Sequence, residues 1–310
     1  MQANLKASIL AQKKPEPKPE PRKQPIPVVT SYESKDVAIP ADFLRDENHT
    51  VDSISYKVIN FKETVLPQYE PCYAAVLDNV LTPAECVTLL QLAESSVRDE
   101  DKAKDGNPWR PAMVNVGGGR EVLETSYRNS DRIIWDNQEV VDRIWARIAQ
   151  VPGIMDTLGS ITGEALLGVT KPGKAQTWWD FHGINKRMRC LKYGGGQFFA
   201  PHCDGPYSTK EDDGTVYRTH YTVHIYLNDS KAEASEEDKD STELEGGATT
   251  FLSTDEKRRL DVNPKTGRVL IFQHRRLYHS GDNVLAGTKY TIRTDLLYKM
   301  RKGDNGSLEV

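Results

Sequence analysis

Residues 193–207 read YGGGQFFAPHCDGPY, and within them His202 and Asp204 stand two positions apart. On extended backbone that spacing sends both side chains to the same side, so an imidazole and a carboxylate lie next to each other, ready to share one metal ion. Cys203, between them, points the opposite way. A third ligand is offered by residues 268–298, RVLIFQHRRLYHSGDNVLAGTKYTIRTDLLY, where His279 follows an apolar run and precedes Lys289 and Arg293. Two imidazoles and a carboxylate on one face of an octahedral ion leave three positions open, the arrangement suited to a redox-active iron.

The parts also stand in a telling order. A Tyr-Gly-rich turn leads into His-x-Asp; then come YTVHIYLND, GGATTF, the apolar VLIF, His279 and a basic strand. Over residues 185–300 this order resembles the Fe(II)- and 2-oxoglutarate-dependent dioxygenases, in particular their prolyl 4-hydroxylase-like branch. The resemblance implies a mainly β fold with flanking helices around a double-stranded β-helix (jelly-roll) core. It implies His202, Asp204 and His279 as metal ligands and catalytic centre, with Fe(II), 2-oxoglutarate and dioxygen as cofactor and cosubstrates and ascorbate as a candidate auxiliary reductant.

The far carboxylate of 2-oxoglutarate needs a cation in a dry pocket. Prolyl 4-hydroxylases use a lysine ten residues after the distal histidine, where Lys289 stands. Arg293 lies four further along the same strand, on the same side, and could take the role as a two-pronged partner. Asp295, also on that side, is available to pair with the spare cation. Tyr193 matches the cosubstrate tyrosine of the prolyl 4-hydroxylases, KYGGGQFFAPHCD here against NYGxGGQYxPHxD, and Tyr226 matches that of the related oxygen-sensing hydroxylases. Thr222, His224 and Tyr226 share a strand face. In relatives a polar segment such as SYRNSDRIIW (126–135) borders the substrate pocket, so Arg128, Arg132 and His224 are candidate substrate contacts. His220 and His224 do not form a zinc-protease pair: the helical HExxH glutamate is missing and Val and Ile neighbours indicate a strand. His274, of opposite parity to His279, is expected to be structural or superficial.

Short Val, Ile, Thr, Tyr and Phe runs separated by Gly, Asn and Asp turns from Met188 onward indicate an antiparallel sandwich or barrel. Upstream, residues 56–77 suggest strands. In LTPAECVTLLQLAESSV, Thr82 caps a helix, Pro83 takes its first position, Glu85 closes a capping box, and Leu89, Leu90, Ala93 and Val97 form the buried face. A second amphipathic helix in NQEVVDRIWARIAQV buries Val140, Val141, Ile144, Trp145 and Ile148. RDEDKAKDGNPW is no calcium loop, because alanines fall where oxygen ligands belong. Gly117–Gly119 and Gly194–Gly196 lack the features of phosphate loops and read as turns.

The expected organisation is a disordered Pro/Lys/Glu-rich tail over 1–50 and a single dioxygenase domain over 51–310. Within that domain lie helical support near 80–150, a core barrel near 185–300 and an acidic loop over 229–246, NDSKAEASEEDKDSTELEGG from Asn228 onward, expected to be disordered. With 310 residues, 37% of them hydrophobic, the chain can bury a sizeable core, and a net charge of -4 disfavours a nucleic-acid partner. Four dispersed cysteines fit a reducing compartment, and the lack of a signal-like or spanning apolar segment points to a cytoplasmic protein without a membrane partner. No separate peptide-binding module accompanies the barrel, which favours a small-molecule substrate such as an amino acid or metabolite. A prolyl hydroxylase-like action on a peptide and a non-catalytic cupin-like binding protein are the alternatives, and the sequence does not give the oligomeric state.

Overall fold

The computed structural model describes residues 25–45, 53–167 and 176–301. Residues 1–24 and 46–50 of the expected tail lie outside them. Two antiparallel sheets make the core. The larger, of eleven strands, has the spatial order Ser55–Val58, Ala74–Asp78, Val269–Gln273, Val216–Tyr226, Lys289–Met300, Arg187–Tyr193, Asp131–Asp136 and Arg110–Pro111 along its main path. Lys289–Met300 is long enough to pair with Arg187–Tyr193 over its first half and with Trp178–Ile184 over its second. The smaller sheet runs Arg259–Val262, Thr249–Leu252, His279–Gly281, Phe198–His202 and Arg128–Asn129. This is the jelly-roll architecture, and its larger sheet recruits strands well upstream of residue 185.

Alternation along the large sheet separates core from site. Ile292, Leu296 and Tyr298 of the last strand, Met188 and Cys190 of its neighbour, and Val223 and Ile225 on its other side all enter one apolar cluster. Into the same cluster α1 (Pro83–Ser95) sends Cys86, Leu89 and Ala93, and α2 (Gln138–Ala149) sends Val140, Val141, Ile144, Trp145 and Ile148. Both helices therefore cover one face. The α1 capping box is present: Thr82 Oγ1 accepts from the Glu85 amide at 3.2 Å, and the Thr82 amide donates to Glu85 Oε2 at 2.8 Å. Leu90 and Val97 are half-buried and pack against the same cluster, and Cys86 joins the buried face. The opposite parity, including Lys289, Arg293, Arg189, Tyr193, Thr222 and His224, faces the smaller sheet.

Two expectations of disorder are corrected. Residues 25–45 lie against the domain: Val28–Val29 pairs with Arg120–Glu121, Phe43 and Leu44 are buried, and the Lys35 amide donates to the Ser96 carbonyl at 2.8 Å. Averaging composition over a Pro-rich tail concealed the apolar and aromatic anchors at its end. The acidic loop is also tied down at both ends. Ser230 is buried and donates to the Pro264 carbonyl at 3.0 Å, Glu233 pairs with Arg268 at 3.0 Å, and Leu244 enters a cluster with Leu191, Tyr193 and Val284. Its acidic tip between these anchors stays exposed. Among the described residues no helix is long and apolar enough to cross a membrane.

Candidate active site

His202 ends one strand of the small sheet and His279 begins the next, and the two are directly opposite in register. Asp204 follows just past the strand end. One atom from each of the three side chains lies within 4.8 Å of the others. His202 Nδ1 is 2.8 Å from the Ala200 carbonyl and His279 Nδ1 is 2.9 Å from that of Leu277. A carbonyl can only accept, so each Nδ1 carries the hydrogen and each Nε2 offers a lone pair. Both Nε2 atoms face Asp204, at 3.6 and 3.9 Å. Two Nε2 donors and a carboxylate, mutually near and already oriented, fit an octahedral metal such as iron.

Asp204 is 7% exposed. Burial alone would raise its carboxyl, but the Arg293 guanidinium at 3.2 Å and the two imidazoles outweigh burial and hold it well below the usual carboxylate range. Thr222 Oγ1 donates to its Oδ2 at 2.6 Å. Burial pushes His279 down to about 4, keeping it neutral as a ligand must be.

The cations come from the large sheet. Arg189 and Arg293 stand directly opposite each other, a like-charge pairing that opposes sheet formation. Asp295 offsets it, at 3.1 Å from each. Burial tends to raise Asp295, yet Arg293 and Arg189 hold it well below the usual range. His274 is buried in the same cluster, 3.3 Å from Asp295. Arg293 is thus engaged twice by carboxylates.

Lys289 is different: it is 2% exposed and pairs with no carboxylate among the described residues. Its Nζ lies over the rings of Tyr193 at 5.3 Å and Tyr226 at 5.7 Å, and burial pushes it down to about 8. Gly247, with φ +71°, gives it room, because a Cβ there would press on Lys289 Cδ at 3.1 Å.

A cavity between the sheets is lined by His202, Asp204, His279, Lys289, Arg293 and Tyr193, and also by His224, Thr222, Arg128 and Arg189. His224 turns toward it with Nε2 buried and without a protein hydrogen bond. Tyr226 sits behind this lining, donating its hydroxyl to Thr249 Oγ1 at 2.7 Å. Arg132 is a correction: it does not line the cavity but pairs with Glu121 at 2.8 Å and Tyr32 at 2.5 Å, fastening residues 25–45 to the domain. Its strand register put it on a face that the N-terminal segment covers. Arg189 was missed, although its even spacing from Tyr193 on one strand was signal enough.

A family model described as the 2OG-Fe(II) oxygenase superfamily matches residues 188–294. Among solved structures, a viral collagen prolyl hydroxylase from Paramecium bursaria Chlorella virus-1, in its 2OG complex, is 18% identical over 73% of this chain and 95% of its own, with TM-score 0.39. A Pseudomonas putida prolyl-4-hydroxylase is 12% identical over 83% of this chain and 97% of its own, with TM-score 0.42. A Trichoplax adhaerens prolyl hydroxylase, in complex with a hypoxia inducible factor peptide fragment, is 16% identical over 82% and 90%, with TM-score 0.43. At these values no substrate is carried over from those proteins. No curated protein matches the chain. The superfamily match spans the two histidines, the aspartate and both cations of the last strand, so residues 188–294 are a domain of the 2OG-Fe(II) oxygenase superfamily, and the protein is a 2-oxoglutarate- and Fe(II)-dependent dioxygenase.

Proposed function

We propose that His202, Asp204 and His279 hold the iron, that Lys289 anchors the far carboxylate of 2-oxoglutarate, and that the enzyme oxidises a C–H bond of a small molecule such as an amino acid or metabolite. With iron bound, dioxygen would be the oxidant and 2-oxoglutarate the co-reductant, one oxygen atom ending in succinate as carbon dioxide is released and the other in the substrate; the chain supplies placement, charge and exclusion of water. The observation that carries the cosubstrate role is the contrast between the two cations. Arg293 is already neutralised by Asp204 and Asp295, whereas Lys289 is buried without a carboxylate partner among the described residues and faces the cavity. An unpaired buried charge is costly, so the ligand that completes Lys289 gains from doing so. Tyr193, beside Lys289 on the cavity wall, is placed to contact the same ligand.

The small-molecule reading is supported by the depth of the iron ligands and by the convergence of Arg128, Arg189, His224, Lys289 and Arg293 on one cavity. Purified protein with Fe(II) and 2-oxoglutarate should release succinate, and a chelator should stop it. Adding a metabolite extract should stimulate release and yield a product one oxygen atom heavier, or otherwise oxidised, by mass spectrometry. Stimulation by proline-containing peptides, with none by metabolites, overturns the substrate reading.

A further inference from the structure

Buried arginines in this molecule come with carboxylates. Arg132 has Glu121 at 2.8 Å, Arg147 has Glu85 at 2.6 Å and Arg268 has Asp78 at 2.6 Å. The half-buried cavity arginines, Arg189 and Arg293, share Asp295. Arg128 is the exception. It is 8% exposed, and its single hydrogen bond among the described residues runs from Nε to the Ser130 hydroxyl at 3.4 Å. Burial pushes its pKa down to about 10, which leaves it charged at neutral pH. The guanidinium lies over the Phe199 ring, 4.6 Å from the centroid, and the same ring stacks on the His202 imidazole at 3.8 Å. A cation without an anion therefore lines the cavity one ring away from an iron ligand.

We propose that Arg128 receives a carboxylate of the primary substrate, which makes that substrate an anionic small molecule oxidised close to its acid group. This rests on reading the cavity as the substrate chamber. Charge balance argues for it. Four cations, Arg128, Arg189, Lys289 and Arg293, meet two carboxylates, Asp204 and Asp295. A divalent metal and dianionic 2-oxoglutarate cancel each other, so loading the site leaves the excess of cations unchanged. That excess of two resides on Lys289 and Arg128; the far carboxylate of the cosubstrate lies against Lys289, so Arg128 is the cation left without an anion beside it. Its planar fork matches a carboxylate through two parallel hydrogen bonds, and the Phe199 stack holds the fork in one plane. The fitting chemistry, a carboxylate, is common to substrate and cosubstrate, so the test must separate them.

Mn(II) in place of Fe(II) prevents turnover while leaving a paramagnetic centre. With 2-oxoglutarate saturating, proton NMR line broadening is followed for a mixture of free L-amino acids and small mono- and dicarboxylic acids, and for the corresponding amides. One or more acids should broaden and their amides should not. Arg128→Gln should weaken acid binding roughly tenfold or more while leaving 2-oxoglutarate affinity unchanged, which also shows that the variant is folded. Arg128→Lys, the milder variant, should retain part of the binding and provides the same comparison if the glutamine variant misfolds. The proposal is overturned if acids and amides broaden alike, if no acid binds the wild type, if acid binding survives Arg128→Gln, or if that variant loses 2-oxoglutarate affinity instead. Wild-type protein that binds no 2-oxoglutarate with Mn(II) overturns the cosubstrate reading itself, and that result is seen before any Arg128 variant is made.

Discussion

On the small sheet, His202 and His279 face each other across one strand pair, and each ring is oriented by a carbonyl two residues back on its own chain. On the large sheet, Arg189, Arg293 and Asp295 come from two adjacent strands and hold one another, with Thr222 of a third strand bonded to Arg293 at 3.3 Å. The first arrangement is local: removing one histidine leaves the other's orientation intact. The second is mutual, because removing one charge strands its partners in a dry environment. Asp204 belongs to both, as it faces the two imidazoles and also receives Arg293 and Thr222.

The largest expected effect tests the local side. His202→Ala and His279→Ala should each abolish Fe(II)-dependent succinate release with little change in melting temperature, since the rings face the cavity. Asp204→Ala should abolish release too, but should also lower the melting temperature by withdrawing a partner from Arg293. Ordinary turnover in any of the three would refute the ligand set. Next comes the mutual side. Asp295→Asn leaves two half-buried guanidiniums without their shared, buried carboxylate and should cost about 3–5 kcal/mol in denaturant unfolding, the range for breaking a buried pair. A loss no greater than that of His279→Ala would erase the distinction between the sheets.

The same distinction explains what could be read from the sequence. His202, Asp204 and His279 were legible because each is set by its own strand: a two-residue spacing fixes side, and the apolar run before His279 fixes context. The capping box of α1 and the apolar faces of both helices were legible for the same reason. The choice between Lys289 and Arg293 was not, because parity puts both on one face and the pairing of Arg293 with Asp204, which follows a strand of the other sheet, is not encoded in its own strand. Arg132 was misplaced for a similar reason. Its partners, Tyr32 and Glu121, lie 100 and 11 residues away, and the segment carrying Tyr32 read as part of a solvated tail. The anchors of the acidic loop escaped because Ser230, Glu233 and Leu244 are few among many exposed charges.

The cations should separate in binding. Lys289→Met should weaken 2-oxoglutarate by about 2–5 kcal/mol, roughly 30-fold to several thousand-fold, whereas Arg293→Met should act chiefly on stability. Titrating 2-oxoglutarate against Mn(II)-loaded protein distinguishes them, and the reverse ranking would hand the anchor to Arg293. The pH dependence carries a sign. Lys289 in the free site loses its proton above about pH 8, so 2-oxoglutarate binding must take up a proton there. Affinity should therefore be flat below that pH and fall by up to about tenfold per unit above it. Lys289→Met should remove this slope.

The smallest effect concerns the two tyrosines under the Lys289 ammonium. Tyr226 is fully buried and spends its hydroxyl hydrogen on Thr249, while Tyr193 lines the cavity itself. A hydrogen bond from a neutral hydroxyl to a carboxylate contributes about 1.5–3 kcal/mol, and one between two neutral hydroxyls about 0.5–1.5 kcal/mol. Tyr193→Phe should accordingly weaken 2-oxoglutarate by roughly tenfold to a hundredfold and leave unfolding almost unchanged. Tyr226→Phe should do the opposite, costing about 1 kcal/mol of stability with 2-oxoglutarate affinity within about twofold of wild type. Both substitutions keep the ring faces beneath Lys289, so neither disturbs the cation–π contacts, and any change in affinity reports on the hydroxyl alone. If Tyr226→Phe weakens 2-oxoglutarate while Tyr193→Phe does not, the cosubstrate approaches Lys289 from the Thr249 side, and the hydroxyl bonded to Thr249 must turn toward the ligand when it binds.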